Sequence, residues 1–198
     1  MRRKGGLADS TMDGSGISAM LNGTGGDATF SDLVGTEPGE EAPVEFLTMD
    51  SVDRMDGSSF EVFCEILWTR QGFQSSVTEK KGGDGGIDIV ALRGAVGELL
   101  QCKSSIRGTI GWDAIKEVAA GAARYQARYP NSVFAKVAVT NQTFNEPAHV
   151  QAAANGVRVV EREELARLLG AHPISNHEFD SRLFEWLPAG GTQRRAFG

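Results

Sequence analysis

DGGIDIVALRGAVGELLQCK, residues 84–103, predicts two short strands joined by a glycine-bearing turn. Ile87, Ile89 and Ala91 alternate with Asp88 and Val90, the period of a strand with two differently used faces. After the turn at Arg93-Gly94 the chain returns over Val96 to Lys103. There Leu100 and Cys102 share one face, while Gln101 and Lys103 share the other. One strand thus offers a carboxylate at Asp88, and its neighbour offers an amide oxygen and an ammonium. Carboxylate and carbonyl oxygens are hard ligands suited to Mg²⁺. A lysine beside them can orient a water or stabilise charge developing on a phosphate. The pattern points to metal-assisted cleavage of a phosphodiester.

Before this hairpin, Asp56, Ser58 and Ser59 supply N-cap chemistry for a helix. Phe60, Phe63, Cys64, Leu67 and Trp68 form one apolar stripe on it, and the helix ends at Gly72. Glu61 falls at the border of that stripe and Glu65 further into solvent. Phe73 to Thr78 reads as a strand. The loop KKGGDGG, residues 80–86, lacks the lysine-serine ending of a phosphate-binding loop and opens no helix, so it reads as a flexible rim.

After the hairpin a helix is predicted over Trp112 to Tyr129, packed through Ile115, Val118, Ala119, Ala122, Ala123 and Tyr125. Its Ala-Ala-Gly-Ala-Ala run, 119–123, permits close approach to a sheet. Phe134 to Thr140 is a buried strand. Asn145 caps a helix with Glu146 and Pro147 in its first turn, and Gly156 stops it. Val157 to Val160 is a strand and Glu163 to Leu169 a helix. The order is α-β-β-β-α-β-α-β-α, an α/β domain whose mixed β-sheet is flanked by helices.

Composition bounds the rest. Of 198 residues, 40% are apolar and 23% charged, ordinary for a globular domain. No run is long and apolar enough for a membrane span, and no apolar segment follows the basic start Met1-Arg2-Arg3-Lys4, so no secretory signal is expected. Cys64 and Cys102 fall at core positions, consistent with a cytoplasmic protein. The net charge of −6 belongs wholly to residues 1–50, which hold three basic and nine acidic residues. The other 148 residues carry 17 of each sign. Charge therefore neither supports nor excludes a nucleic-acid substrate. Residues 1–48, rich in Gly, Ser and acids, read as a disordered leader, with Ile17 to Leu21 and Phe30 to Val34 as docking pieces. The ordered domain is expected over 49–170. The extension 171–198 carries a short amphipathic helix over Phe179 to Leu187 and a disordered end.

The succession Phe60-Glu61, GGDGGID (82–88), QCK (101–103) and VTNQTFNEPA (139–148) resembles the catalytic domain of Mrr-like restriction endonucleases. These belong to the PD-(D/E)xK nuclease superfamily, here in its D…QxK variant. The resemblance spans about 49–170 and implies a restriction-endonuclease-like core. It implies that Asp88 is the principal metal ligand, that Gln101 stands where a second acidic ligand is usual, and that Lys103 is the catalytic lysine. Position alone reads Glu61 as a solvated helical glutamate; the resemblance makes it the first-helix residue that completes the metal site. Asp84, Thr140 and Asn141 match positions that shape the site. The implied activity is Mg²⁺-dependent hydrolysis of DNA, with Mn²⁺ able to substitute, in type IV-like restriction or anti-phage defence.

Family enzymes that cut modified DNA commonly carry a separate DNA-reading domain, and nothing in this sequence looks like one. A protein partner or a homo-oligomer is therefore expected to supply target recognition. Two alternatives stay open on the sequence: a non-catalytic nucleic-acid-binding or assembly domain, and a nuclease of the same fold acting on RNA or on branched DNA in repair.

Overall fold

The structure, a computed structural model, describes residues 43–78 and 85–186. The leader through residue 42, the loop residues 79–84 with Lys80, Lys81 and Asp84, and the end from Leu187 lie outside the described residues. The docking pieces at 17–21 and 30–34 lie outside them too.

Thirteen elements are defined among the described residues. In chain order they are α1 (Met49–Asp53), α2 (Gly57–Arg70), β1 (Gln74–Val77), β2 (Ile89–Arg93), β3 (Val96–Lys103), β4 (Thr109–Ile110) and α3 (Asp113–Arg128). Then follow β5 (Val133–Thr140), β6 (Thr143–Phe144), α4 (Glu146–Asn155), β7 (Val157–Val160), α5 (Arg162–Ala171) and α6 (Asn176–Trp186). Five strands form a mixed sheet in the order β1-β2-β3-β5-β7. The first three are antiparallel neighbours, whereas β5 and β7 run parallel to β3. The α/β architecture and its element order are those read from the sequence, with α1 and the two-residue pair β4-β6 added; the helix expected over Phe179 to Leu187 is α6, which starts three residues earlier at Asn176.

Local chemistry sets most boundaries. Asp56 caps α2 by accepting from the Ser59 N–H at 2.8 Å. Asn145 does the same for α4 from Ala148, and Gly156 ends that helix at φ +59°, a left-handed turn that favours glycine. Gly94 (φ +66°) begins the two-residue turn between β2 and β3.

Two apolar layers cover the sheet. On one face α2, α5 and α6 pack on Ile89, Ala91, Leu100, Val137 and Val139. On the other, α3 and α4 pack on Val90, Leu99 and Ala138. Leu100 and Cys102 thus face the α2 layer, as their alternation with Gln101 requires. Ile87 departs from the expected alternation. It lies outside β2 and joins Val90 in the α3 layer, because Asp88 bonds to the Leu100 carbonyl although Leu100 is already the partner of Ile89, and that extra residue shifts the alternation.

α2 is not the one-sided helix expected. Every residue from Phe60 to Trp68 is buried, Glu61 and Glu65 included. The sheet covers one side; α6 packs on the outer side, with Phe179 buried and Leu183 and Trp186 packed on the core, while Phe184 is exposed. Glu65, expected in solvent, is instead held by two hydrogen bonds from Arg182 at 2.9 and 2.7 Å. Order also starts before Met49. Leu47 is buried, and its N–H reaches the Ile174 carbonyl at 2.9 Å, pinning residues 45–48 beside the start of α6.

The small-residue run of α3 does permit close approach, but to the glycine segment before β2. A Cβ on Gly121 would lie 2.2 Å from the Gly85 carbonyl oxygen. Ala123 is exposed; Gly121 occupies the buried position. Among the described residues no helix is long and apolar enough to cross a membrane.

Candidate active site

Glu61, Asp88, Gln101 and Lys103 line one open cleft of about 600 Å³, although they come from two separate elements, α2 and β3, and the segment before β2. The cleft opens where β2 has yet to start and β3 ends. The β2–β3 register ends with Ile89 opposite Leu100, and Asp88, one residue before it, still reaches β3 at Leu100, which brings it into the cleft that Gln101 lines. Asp88 is buried, and its Oδ2 accepts from the Cys102 N–H at 2.7 Å. Its backbone is held on both sides, the N–H by the Leu100 carbonyl and the C=O by the Thr78 N–H, each at 2.8 Å. The Thr78 hydroxyl donates to the Ile87 carbonyl at 2.5 Å and fastens the same turn.

Gln101 is only 5% exposed, and its buried Oε1 receives no hydrogen bond from the described residues. A buried carbonyl oxygen in that state costs stability unless a ligand satisfies it. Glu61 reaches the cleft from the second turn of α2, buried by the layer that also covers Cys64. Burial itself pushes the Cys102 thiol well above its usual range, with the adjacent Cys64 and the charges of Asp88 and Glu61 adding to it. Cys102 therefore stays a protonated thiol beneath the carboxylates and serves as packing.

Lys103 ends β3 at the rim, with its ammonium 2.9 Å from the Glu117 carboxylate on α3. Glu117 lines the same cleft, and sequence reasoning missed it. Its position beside Val118 on a helix carries no signal of its own; the fold alone brings it to Lys103. The segment entering Asp88 presses on that turn of α3, since a Cβ on Gly86 (φ +80°) would lie 2.7 Å from the Glu117 carbonyl oxygen.

Thr140 and Asn141 are fully buried and do not line the cleft. Thr140 pairs in register with Lys103 and accepts from the Gln142 N–H through its hydroxyl. Asn141 brackets Ser105, accepting from its N–H and donating to its carbonyl, both at 2.9 Å. It also donates to Asp53, which Arg162 holds at 2.6 Å. This network clamps the loop that leaves Lys103 to α1 and α5.

The set Glu61, Asp88 and Gln101 offers two carboxylates and an amide oxygen, a donor chemistry that fits Mg²⁺, and the unsatisfied Gln101 Oε1 is consistent with a ligand there. No group of three His, Cys, Asp or Glu is placed to hold a metal among the described residues, and in this cleft the third donor is the Gln101 amide.

The family model Mrr_cat, described as a restriction endonuclease, matches residues 52–169. No curated protein matches the chain. Among solved structures, a protein of unknown function, AF1548, is 20% identical with a TM-score of 0.43, the match covering 59% of this chain and 66% of that one. The MspJI restriction endonuclease, solved in complex with a 27-mer oligonucleotide, is 19% identical with a TM-score of 0.45; the match covers 69% of this chain and 34% of that one. The chain thus spans just under two thirds of the first structure's length and about a third of the second's.

Proposed function

The chain belongs to the Mrr_cat restriction-endonuclease family, which supports a nuclease role, and we propose that its cleft hydrolyses DNA phosphodiesters with a divalent cation, in restriction or anti-phage defence. The observation that carries this reading is the convergence of Glu61, Asp88, Gln101 and Lys103 on one cleft. Asp88, Glu61 and Gln101 would hold Mg²⁺, or Mn²⁺ in its place. Bound there, the cation supplies an activated water and charge neutralisation at the scissile phosphate. Asp88 is suited to the task because the Cys102 N–H fixes the direction of its carboxylate. Lys103, half-exposed at the rim, is placed to meet a phosphate oxygen and stabilise charge that builds on it. With an amide at position 101 the site carries one negative charge fewer than a three-carboxylate set, so weaker cation binding is expected.

Lys103→Ala tests the assignment. The account expects lost cleavage of a labelled DNA duplex with binding retained. Wild-type protein that binds the duplex but cuts nothing with any divalent cation would favour a non-catalytic binding domain.

A further inference from the structure

We propose that Glu117 is a positioning residue for the cleavage step, holding the Lys103 ammonium at the rim of the cleft. The assignment rests on the reading of Lys103 as the catalytic lysine. A lysine at a strand end carries its charge on a flexible four-carbon stem with many rotamers. Nothing in the strand itself directs that charge. The Glu117 carboxylate does, from 2.9 Å across the gap between sheet and helix.

The backbone that carries Glu117 is fixed to the site on its other side. Gly85 and Gly86 lead into Asp88, and they lie directly on α3. A Cβ on Gly86 would meet the Glu117 carbonyl oxygen at 2.7 Å and the Glu117 Cβ at 2.9 Å. One turn on, Gly121 admits the Gly85 carbonyl. The same turn of helix therefore sets the entry to the principal carboxylate and the orientation of the lysine. Lys116, the nearest competing cation in sequence, is engaged by Asp113 at 2.8 Å.

The bland alternative is an ordinary surface ion pair. Side-chain exposures of 37% for Lys103 and 36% for Glu117 do limit what the pair adds to stability. Placement is another matter, because a misplaced group costs rate far out of proportion to its stability. The two readings therefore differ in what they predict for rate and for melting.

The test compares full-length wild type with Glu117→Gln and Glu117→Asp. Three quantities are read: thermal melting, binding of a labelled duplex in EDTA, and single-turnover cleavage at saturating protein with Mg²⁺. Expected for Glu117→Gln are wild-type melting, duplex binding within about twofold, and a cleavage rate lower by on the order of tenfold. Glu117→Asp, which keeps the charge, should recover part of that rate and serves as the test if the Gln variant fails to fold. Cleavage by Glu117→Gln within twofold of wild type overturns the assignment while leaving the nuclease reading intact. An Asp variant no better than Gln overturns it as well. A wild-type protein inert toward DNA removes the nuclease reading and this assignment with it.

Discussion

Asp88 Oδ2 accepts a hydrogen bond of 2.7 Å from the Cys102 N–H, so the carboxylate that leads into β2 is aimed by the backbone of β3. Together with the bond from the Asp88 N–H to the Leu100 carbonyl, it ties the segment before β2 to β3 and holds Asp88 in the cleft that Gln101 also lines. Asp88→Asn keeps the shape and removes the charge. Its expected effect is a loss of cleavage of about 100-fold or more with a melting temperature equal to or above wild type, since a buried carboxylate held for function is a stability cost. Parallel plasmid-cleavage and melting assays check this; a large fall in melting temperature would make Asp88 structural instead.

Gln101→Glu would place a third carboxylate beside Glu61 and Asp88. Like charges in a shared site disfavour ionisation together, so in EDTA the variant should melt below wild type. Mg²⁺ should reverse the deficit and raise its melting temperature more than that of wild type, because added negative ligand charge tightens cation binding. A Mg²⁺ titration of melting temperature for both proteins measures the difference.

Arg182→Ala strips Glu65 of both of its charged hydrogen bonds while α6 still covers it. The expected cost is on the order of 2–3 kcal/mol, below that of a fully buried pair because Arg182 is 32% exposed. Urea unfolding reads it. Adding Glu65→Leu should return most of the loss, since the buried charge goes with it.

Gly121→Ala sets two effects against each other. Alanine favours a helix interior over glycine by about 1 kcal/mol. The new Cβ, however, would lie 2.2 Å from the Gly85 carbonyl oxygen, and backbone must move. Overpacking of this kind costs about 1–3 kcal/mol, so the net change is expected to be destabilising. Because the displaced segment leads into Asp88, cleavage should fall as well. A stabilised, fully active variant would contradict the close contact.

The Arg162 hydrogen bond holds the Asp53 carboxyl below its ordinary 3.8, with Asn141 adding to it against the effect of burial. A carboxyl with a lower folded than unfolded value binds fewer protons when folded. Its stabilisation is therefore complete above about pH 5 and is lost as pH falls through the folded value. Asp53→Asn should lower the melting temperature at pH 7 by about 2–4 °C, the effect of roughly 1 kcal/mol in a domain of this size. The gap should start to narrow below about pH 4, near the unfolded value, and close as pH falls through the lower folded one.

What could be read from the sequence was what local chemistry or periodicity announces. Asn145 and Gly156 mark both ends of α4, and the alternation along β3 turns Leu100 and Cys102 to the α2 layer and Leu99 to the α3 layer. Asp88, Gln101 and Lys103 were legible through strand alternation, and Glu61 only through the family resemblance. Contacts made across long separations were not. Glu65 reads as solvent-facing because the residue that buries it, Arg182, lies 117 positions away. Glu117 meets Lys103 only once β3 and α3 are packed together, and Asn141 reaches Asp53 across 88 positions. No spacing rule on a single element encodes such contacts.

The most direct test is cleavage of supercoiled plasmid DNA by the purified wild type with Mg²⁺ or Mn²⁺, beside EDTA and Asp88→Ala. The account predicts nicked or linear product that disappears in both controls. Product that persists with EDTA, or that Asp88→Ala forms as fast as wild type, would contradict a cation-dependent site built on Asp88.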